Sequence, residues 1–420
     1  MELNDMILVS IDDHIIEPAD MFDNHMPAKF KDRAPVLMRT PEGHDQWQWE
    51  GTAVGTTGLS AVVSLPPEEW GFDPTGMAEM RPGCYDIDER IRDMDANGIF
   101  ASMSFPSFAG FAGTQLDTIK DDELRSAVVS AYNDWHVEEW CGAYPGRMLP
   151  QAIGNLWNVD AIVTEIHRIA KKGVKALSFA ETPYVLGLPS FKTEYWDPMF
   201  KALCEEDMVL NMHIGLSFNL FRQPEDYPSD HLIILAPQFS TVTATDLLVA
   251  GVFRRFPELK IGLSEGGIGW IPFFLDRLER HLSNHTWTGL DIGHEGMTPT
   301  EVFRKHFLGC FITDPSALIN RDRIGIESIA WECDYPHSDS TWPRSPEKVM
   351  AEFEGANMSD DEINKVTYEN TARFYGFDLF KDIPKEQATV GALRALATDV
   401  DTRTTSKAEY RRRYEAAQSA

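Results

Sequence analysis

Cysteine is scarce in this chain: there are five in 420 residues, and none stands in a CxxC pair. Cys84, Cys141, Cys204, Cys310 and Cys333 are too few and too scattered for a disulfide scaffold or a zinc finger, so they read as buried thiols. Positive charge is also short. Lys+Arg total 38 against 66 Asp+Glu, a net charge of −28. Such an acid excess argues against nucleic acid and anionic membrane as partners. It still allows a local cationic pocket for a small anion. No uninterrupted apolar run reaches the ~18 residues of a membrane span. The opening MELNDMILVS has no basic flank before its short apolar run. It therefore reads as a first strand, not a signal peptide, and the expected location is the cytoplasm. No GxGxxG follows that strand, so nothing supports dinucleotide binding. Internal repeats and low-complexity tracts are missing too.

What is present is alternation. Apolar runs of strand length occur at residues 7–11, 99–105, 148–153, 174–179, 209–214, 259–263, 310–312 and 326–331. Segments of helical period lie between them, at 121–140, 160–172, 195–206, 244–256, 267–280 and 315–323, and two more follow at 346–354 and 360–374. Strand–helix alternation repeated through eight strands predicts an α/β fold, a (β/α)8 TIM barrel, with an open doubly wound sheet as the alternative. The expected organisation is a barrel over residues 1–376, a long insertion after strand one at about 20–84, and a helical C-terminal extension at 377–420. The insertion carries Trp47, Trp49 and Trp70 and follows a strand end where barrel active sites lie. It reads equally as a pocket wall or as an oligomer contact.

Barrel strands aim the side chains at their C-terminal ends into one mouth. Strand one ends in SIDDHIIEP. Alternation there puts Asp12 and His14 on one face and Asp13 on the other. Strand five ends in NMHIG with His213, strand six in LSEGG with Glu265, and strand eight in WECDYPHSD with Asp334 and His337. Imidazoles and carboxylates together suit Zn, Fe or Mn. Each residue taken singly has a plainer role. His14 and His213 would serve as core histidines, and Glu265 and Asp334 as helix caps or turn residues. Their coincidence at four strand ends favours a metal site.

With those residues in place, the chain resembles the amidohydrolase superfamily, in the branch that includes aminocarboxymuconate-semialdehyde decarboxylase. The marks are SIDDHIIEP, NMHIG, LKIGLSEGGIGWIPFFLDRLER and WECDYPHSDSTWP, in order, and the resemblance runs from about residue 7 to 374. It implies a (β/α)8 barrel with one or two divalent metal ions (Zn, Fe or Mn), held by Asp12, His14, His213 and Asp334, with Asp334 also shuttling a proton. Asp12 replaces the usual first histidine of a His-x-His pair, as a carboxylate also does among the branch's decarboxylases. Where those decarboxylases carry a catalytic histidine after strand six, this chain has Glu265. That departure favours hydrolysis of an ester, acyl-CoA thioester, amide or activated carbon–carbon bond in a small organic acid. Asp334 would then be the general acid/base, and Glu265 and His337 would bind a second ion or aid catalysis. The likeness of some branch members to dinuclear thioesterases makes a thioester a candidate substrate. Nonoxidative decarboxylation of an aromatic or muconate-type acid is the alternative. The expected partner is a small molecule, with neither nucleic acid nor membrane, and the insertion and tail offer surfaces for a homodimer.

Overall fold

The computed structural model describes residues 1–419 and divides into two compact units. The first comprises Met1–Gln151, Cys333–Lys348 and the chain from Leu379 onward. Its centre is a three-stranded parallel sheet. β1 (Val9–Ile15) is fully buried, as strands covered on both faces are. The insertion supplies β2 (Val36–Arg39), β3 (Asp45–Trp49), β4 (Thr52–Thr57) and β5 (Pro74–Thr75), which pair antiparallel in that order. β6 (Ala101–Pro106) then pairs with β1, and β7 (Met148–Leu149) with β6, both in parallel.

β3 alternates burial along DQWQW and turns Trp47 and Trp49 inward. There they meet Phe108, at ring-centroid distances of 5.0 and 5.4 Å. The insertion's tryptophans thus pack on a ring that follows β6. The C-terminal extension belongs to the same unit. Its last helix, Lys407–Gln418, buries Tyr410 against Val62 and Leu65 of the insertion.

The second unit comprises Ala152–Glu332 and Val349–Asp378. β8 (Gln151–Ile153) opens its six-stranded sheet. Pro150, which has no N–H, breaks the ladder between β7 and β8. β9 (Ala176–Ser178), β10 (Val209–His213), β11 (Lys260–Ser264), β12 (Phe307–Phe311) and β13 (Ile329–Trp331) follow in sequential sheet order. β9 to β13 pair in parallel. Helices such as Val159–Ala170, Asp197–Glu205 and Ile271–Asn284 fill the intervals between strands. One helical stretch, Asp230–Val249, has the length and apolar composition of a membrane span. It is broken at Ala236–Gln238; Phe239, Ala244, Leu247 and Leu248 are buried, while Asp230–Leu235 buries no residue.

Every one of the predicted strands is found, the third split by Pro150 and the seventh beginning earlier, at Phe307. Helices at Ile87–Asn97 and Pro299–His306, and the insertion's sheet, were not foreseen; Val390–Leu396 and Lys407–Gln418 lie in the expected helical C-terminal extension.

Candidate active site

In the first unit the end of β1 and the turn after β13 form one hydrogen-bonded knot. The His14 N–H donates to the Tyr335 carbonyl at 2.6 Å, and the Asp334 N–H donates to the Asp12 carbonyl at 2.9 Å. The Cys333 N–H donates to Ser10 Oγ at 2.8 Å. These backbone ties bring Asp12, His14, Asp334 and His337 together although they are far apart in sequence. His14 Nε2 lies 3.4 Å from both Asp12 Oδ1 and Asp334 Oδ1, and His337 Nδ1 lies 2.9 Å from Asp334 Oδ1. The two imidazoles stack with centroids 3.7 Å apart. One ligand atom each from His14, Asp334 and His337 falls within 4.8 Å of the others, a spacing that could hold an ion. The donor chemistry, imidazole plus carboxylate, fits a divalent transition metal.

Asp334 is fully buried. Burial alone would raise its carboxyl. The charge and hydrogen bonds of His337 and His14 outweigh that and hold it below the ordinary carboxylate range. Its backbone is left-handed, with φ of +57°. A non-glycine residue in that region is uncommon and costs about 1–3 kcal/mol, and such strain clusters at functional sites.

Asp13 faces the other way, as alternation predicts. It accepts hydrogen bonds from the Tyr335 N–H at 2.9 Å, from Ser10 Oγ at 3.1 Å and from Ser102 Oγ. Burial pushes its carboxyl up to about 6, opposed by the charge of Arg90 and by those hydrogen bonds. Asp13 therefore ties the end of β1 to the turn that carries Asp334. Arg90 adds a second tie, donating to the carbonyls of His14 and Gly83, each at 2.6 Å.

Glu17, three residues beyond His14, lies in no helix. Its buried carboxylate accepts the N–H groups of Ser107 at 2.9 Å and Phe108 at 2.8 Å. Burial pushes the carboxyl up to about 8 against the pull of those two donors. Glu17 also lines a cavity of about 200 Å³, with His14 and His337 on the same wall. The insertion supplies Leu37, Asp45, Trp47, Val54 and Thr56 to that cavity. In this chain the insertion is therefore a pocket wall. Its role was readable only as one of two options, and Asp45 gave no sequence signal of belonging to a site.

In the second unit, His213 ends β10 and Glu265 follows β11. His213 Nε2 is 3.1 Å from Glu265 Oε2, and His213 Nδ1 is 2.5 Å from the Ile214 carbonyl oxygen. Glu265 has φ of +57°, and its N–H donates to Glu332 Oε2 at 3.2 Å. A Cβ at the next residue, Gly266, would collide with the Ser240 side chain, so only glycine fits that turn. A larger cavity of about 1150 Å³ lies in this unit, walled by residues such as Tyr184, Arg254, Phe273 and Arg277, and contains none of the predicted site residues.

A family model described as Amidohydrolase matches residues 23–377. Among solved structures, an amidohydrolase from Mycobacterium avium subsp. paratuberculosis K-10 is 21% identical, with a TM-score of 0.67 over 88% of this chain and 99% of that one. The 5-carboxyvanillate decarboxylase of Sphingomonas paucimobilis is 20% identical, with a TM-score of 0.62 over 89% and 99%. The 2,6-dihydroxybenzoate decarboxylase of Rhizobium is 18% identical, with a TM-score of 0.56 over 88% and 99%. At such identities the likeness to these structures is one of fold, and the fold is the parallel α/β barrel type expected from the strand–helix alternation. With the family match spanning most of its length, the chain belongs to the amidohydrolase family and is one of its enzymes.

Proposed function

We propose that the protein is a divalent-metal decarboxylase of a small aromatic or muconate-type acid. The observation that carries this reading is the cavity of about 200 Å³ lined by His14 and His337 together with Trp47, Phe108 and Phe111. It suits a single planar ring with its acid end toward the imidazoles. It is too small to enclose an acyl-CoA, since pockets for drug-sized ligands run to about 300–1,000 Å³. The fold-similar proteins support the reading by their activities, for two of them are decarboxylases of ring carboxylates. A 5-carboxyvanillate decarboxylase from Novosphingobium aromaticivorans, 16% identical, was crystallised with manganese.

Asp12, His14, Asp334 and His337 would hold the ion, and the strand-end position of His213 makes it a further proposed ligand. When bound, the ion supplies Lewis acidity at the substrate's acid end. The protein does the rest. The aromatic wall orients the ring and excludes water. The His337–Asp334 pair holds a proton beside the cavity. As the bond to the carboxyl carbon breaks, its electron pair stays on the ring carbon, which takes that proton, and CO₂ leaves.

Metal-assisted hydrolysis, the first expectation from the sequence, keeps one observation in its favour: Glu265, beside His213, stands where a decarboxylase histidine is expected. Incubating manganese-loaded protein with hydroxybenzoates and with aryl esters separates the two readings. Release of CO₂ from the acids is expected. Ester cleavage without CO₂ release would replace decarboxylation by hydrolysis.

Metal binding has its own test. Manganese at a hundredfold excess over its Kd should stabilise the protein by about 2.7 kcal/mol, seen as a rise in melting temperature that a chelator reverses. His213→Ala should lower the metal content after dialysis. Unchanged content would remove His213 from the ligand set.

A further inference from the structure

The acid excess of the chain still allows a local cationic pocket, and the second unit contains one. Its cavity of about 1150 Å³ is lined by four cations, Lys192, Arg254, Arg255 and Arg277, and by two carboxylates, Asp246 and Asp291. Over the whole chain the balance is reversed, 38 basic residues against 66 acidic. Part of this wall is engaged. Arg254 pairs with Asp291, Arg255 Nε lies 3.0 Å from Asp197, and Asp246 accepts the Tyr184 hydroxyl. Lys192 and Arg277 have no such partner among the described residues.

Two helices build the sides. Helix Ile271–Asn284 presents Phe273, Arg277 and His281 at i, i+4 and i+8, the spacing of one helix face. Helix Phe239–Val249 presents Thr241, Thr245 and Val249 in the same way. Phe191, Phe274 and Leu278 line the same cavity, are buried, and give it an apolar base. Phe273, by contrast, is 76% exposed. An exposed phenyl ring one turn from an unpaired guanidinium, on a concave wall, suits a ligand with an apolar body and a charged head. Lys192 and Arg277 would repel a cation, and a neutral ligand would use only the apolar part. An anion gains charge-assisted hydrogen bonds as well. A two-fold dimer through this groove would set it against itself, hollow to hollow and cation to cation.

We propose that this groove, lined by none of the metal-site residues, is a second binding site, and that its ligand is an amphipathic organic anion. The ligand has a fused-ring or chain-like apolar body and one carboxylate, sulfonate or phosphate head. The head meets Lys192 and Arg277, and the body lies against Phe273 and the buried rings of Phe191 and Phe274. The volume exceeds the about 300–1,000 Å³ of ordinary small-ligand pockets, so a body larger than one ring has room.

Two fluorescent probes share a body and differ in charge: anilinonaphthalenesulfonate, and N-phenylnaphthylamine, which lacks the sulfonate. Titrated into manganese-loaded full-length protein, the sulfonate should bind about tenfold more tightly, the scale of hydrogen bonds to charged groups. The chain's net charge of −28 works the other way. Unspecific apolar surface would therefore favour the neutral probe, and equal or tighter binding of that probe overturns the inference. Lys192→Gln combined with Arg277→Gln should erase the preference and leave the neutral probe's affinity unchanged. Phe273→Ala, at a largely exposed position, should weaken both probes alike. A folded double variant that keeps the preference overturns the place given to the head. Unchanged affinities in Phe273→Ala overturn the place given to the body. A dimer in sedimentation that Phe273→Ala dissociates would make the groove an interface between copies and overturn the proposal too. None of these outcomes depends on CO₂ release, so the decarboxylase reading stands or falls separately.

Discussion

Asp334→Asn should keep its divalent ion at saturating metal and lose turnover by about 10³-fold, within the range for removing a general acid/base. The substitution isolates the charge. Asparagine tolerates the left-handed region about as well as aspartate, so the φ of +57° at this position adds no new strain. Volume and backbone ties are also kept, including the Asp334 N–H donated to Asp12 at 2.9 Å. What disappears is the buried anion between His14 and His337. With it goes the counter-charge for any proton carried on the His337 ring, 2.9 Å away. Asp12, His14 and His337 remain as donors, so metal content and turnover should separate. Atomic emission on dialysed protein and the rate of CO₂ release measure the two. Near-wild-type turnover would remove Asp334 from the chemistry, and loss of the metal as well would make it mainly a ligand.

The parallel strands were legible because strands buried on both faces read as unbroken apolar runs. Val209–His213 and Phe307–Phe311 are buried throughout. The insertion's sheet hid itself. β2 has no buried residue and so carries no inward stripe. The clue lay in β3, where DQWQW alternates with period two and runs into Glu50-Gly51, a two-residue hairpin turn. The helix Ile87–Asn97 was missed for a different reason. Its inward face is largely charged, burying Arg90, Asp93 and Asp95, so the apolar period is masked. Those charges are satisfied by groups distant in sequence. Arg81 makes a bidentate pair with Asp93 at 2.6 Å, and Arg147 Nη2 reaches Asp95 at 2.6 Å. Asp12, His14, Asp334 and His337 could be named together from the sequence because strand ends and the turns after them carry them to one place. Glu17 and Asp45 could not, because their place on the pocket wall depends on how the insertion folds.

Arg90 shows how much of the site is held from behind, and Arg90→Ala should be the most destabilising single change considered. Its side chain is completely buried. Nε and Nη2 each donate at 2.6 Å, to the carbonyls of Gly83 and His14, and the guanidinium lies 4.2 Å from the Tyr335 ring centroid. It is also the cation that opposes the burial of Asp13. Alanine would leave two buried carbonyls without these donors and a buried carboxyl without its counter-charge. Breaking a buried charge pair from one side costs about 3–5 kcal/mol. In a chain this long that should appear as a melting temperature lower by roughly 3–6 °C. Gly83 offers no relief, since a Cβ there would strike Asp93 and the Tyr335 hydroxyl, so its surroundings are already filled. The decisive comparison is with Arg90→Met paired with Asp13→Asn. Removing both charges should recover part of the loss, because the Arg90 charge acts on the Asp13 carboxyl and coupled groups do not act additively. If the double variant is as unstable as the sum of the singles, the cost lies in the lost carbonyl contacts and ring packing, and the charge pairing carries little of it. If Arg90→Ala melts within about 1 °C of the parent, no more than a loss of about 1 kcal/mol would give, the strand end that presents His14 is held by its other hydrogen bonds to the turn that carries Asp334.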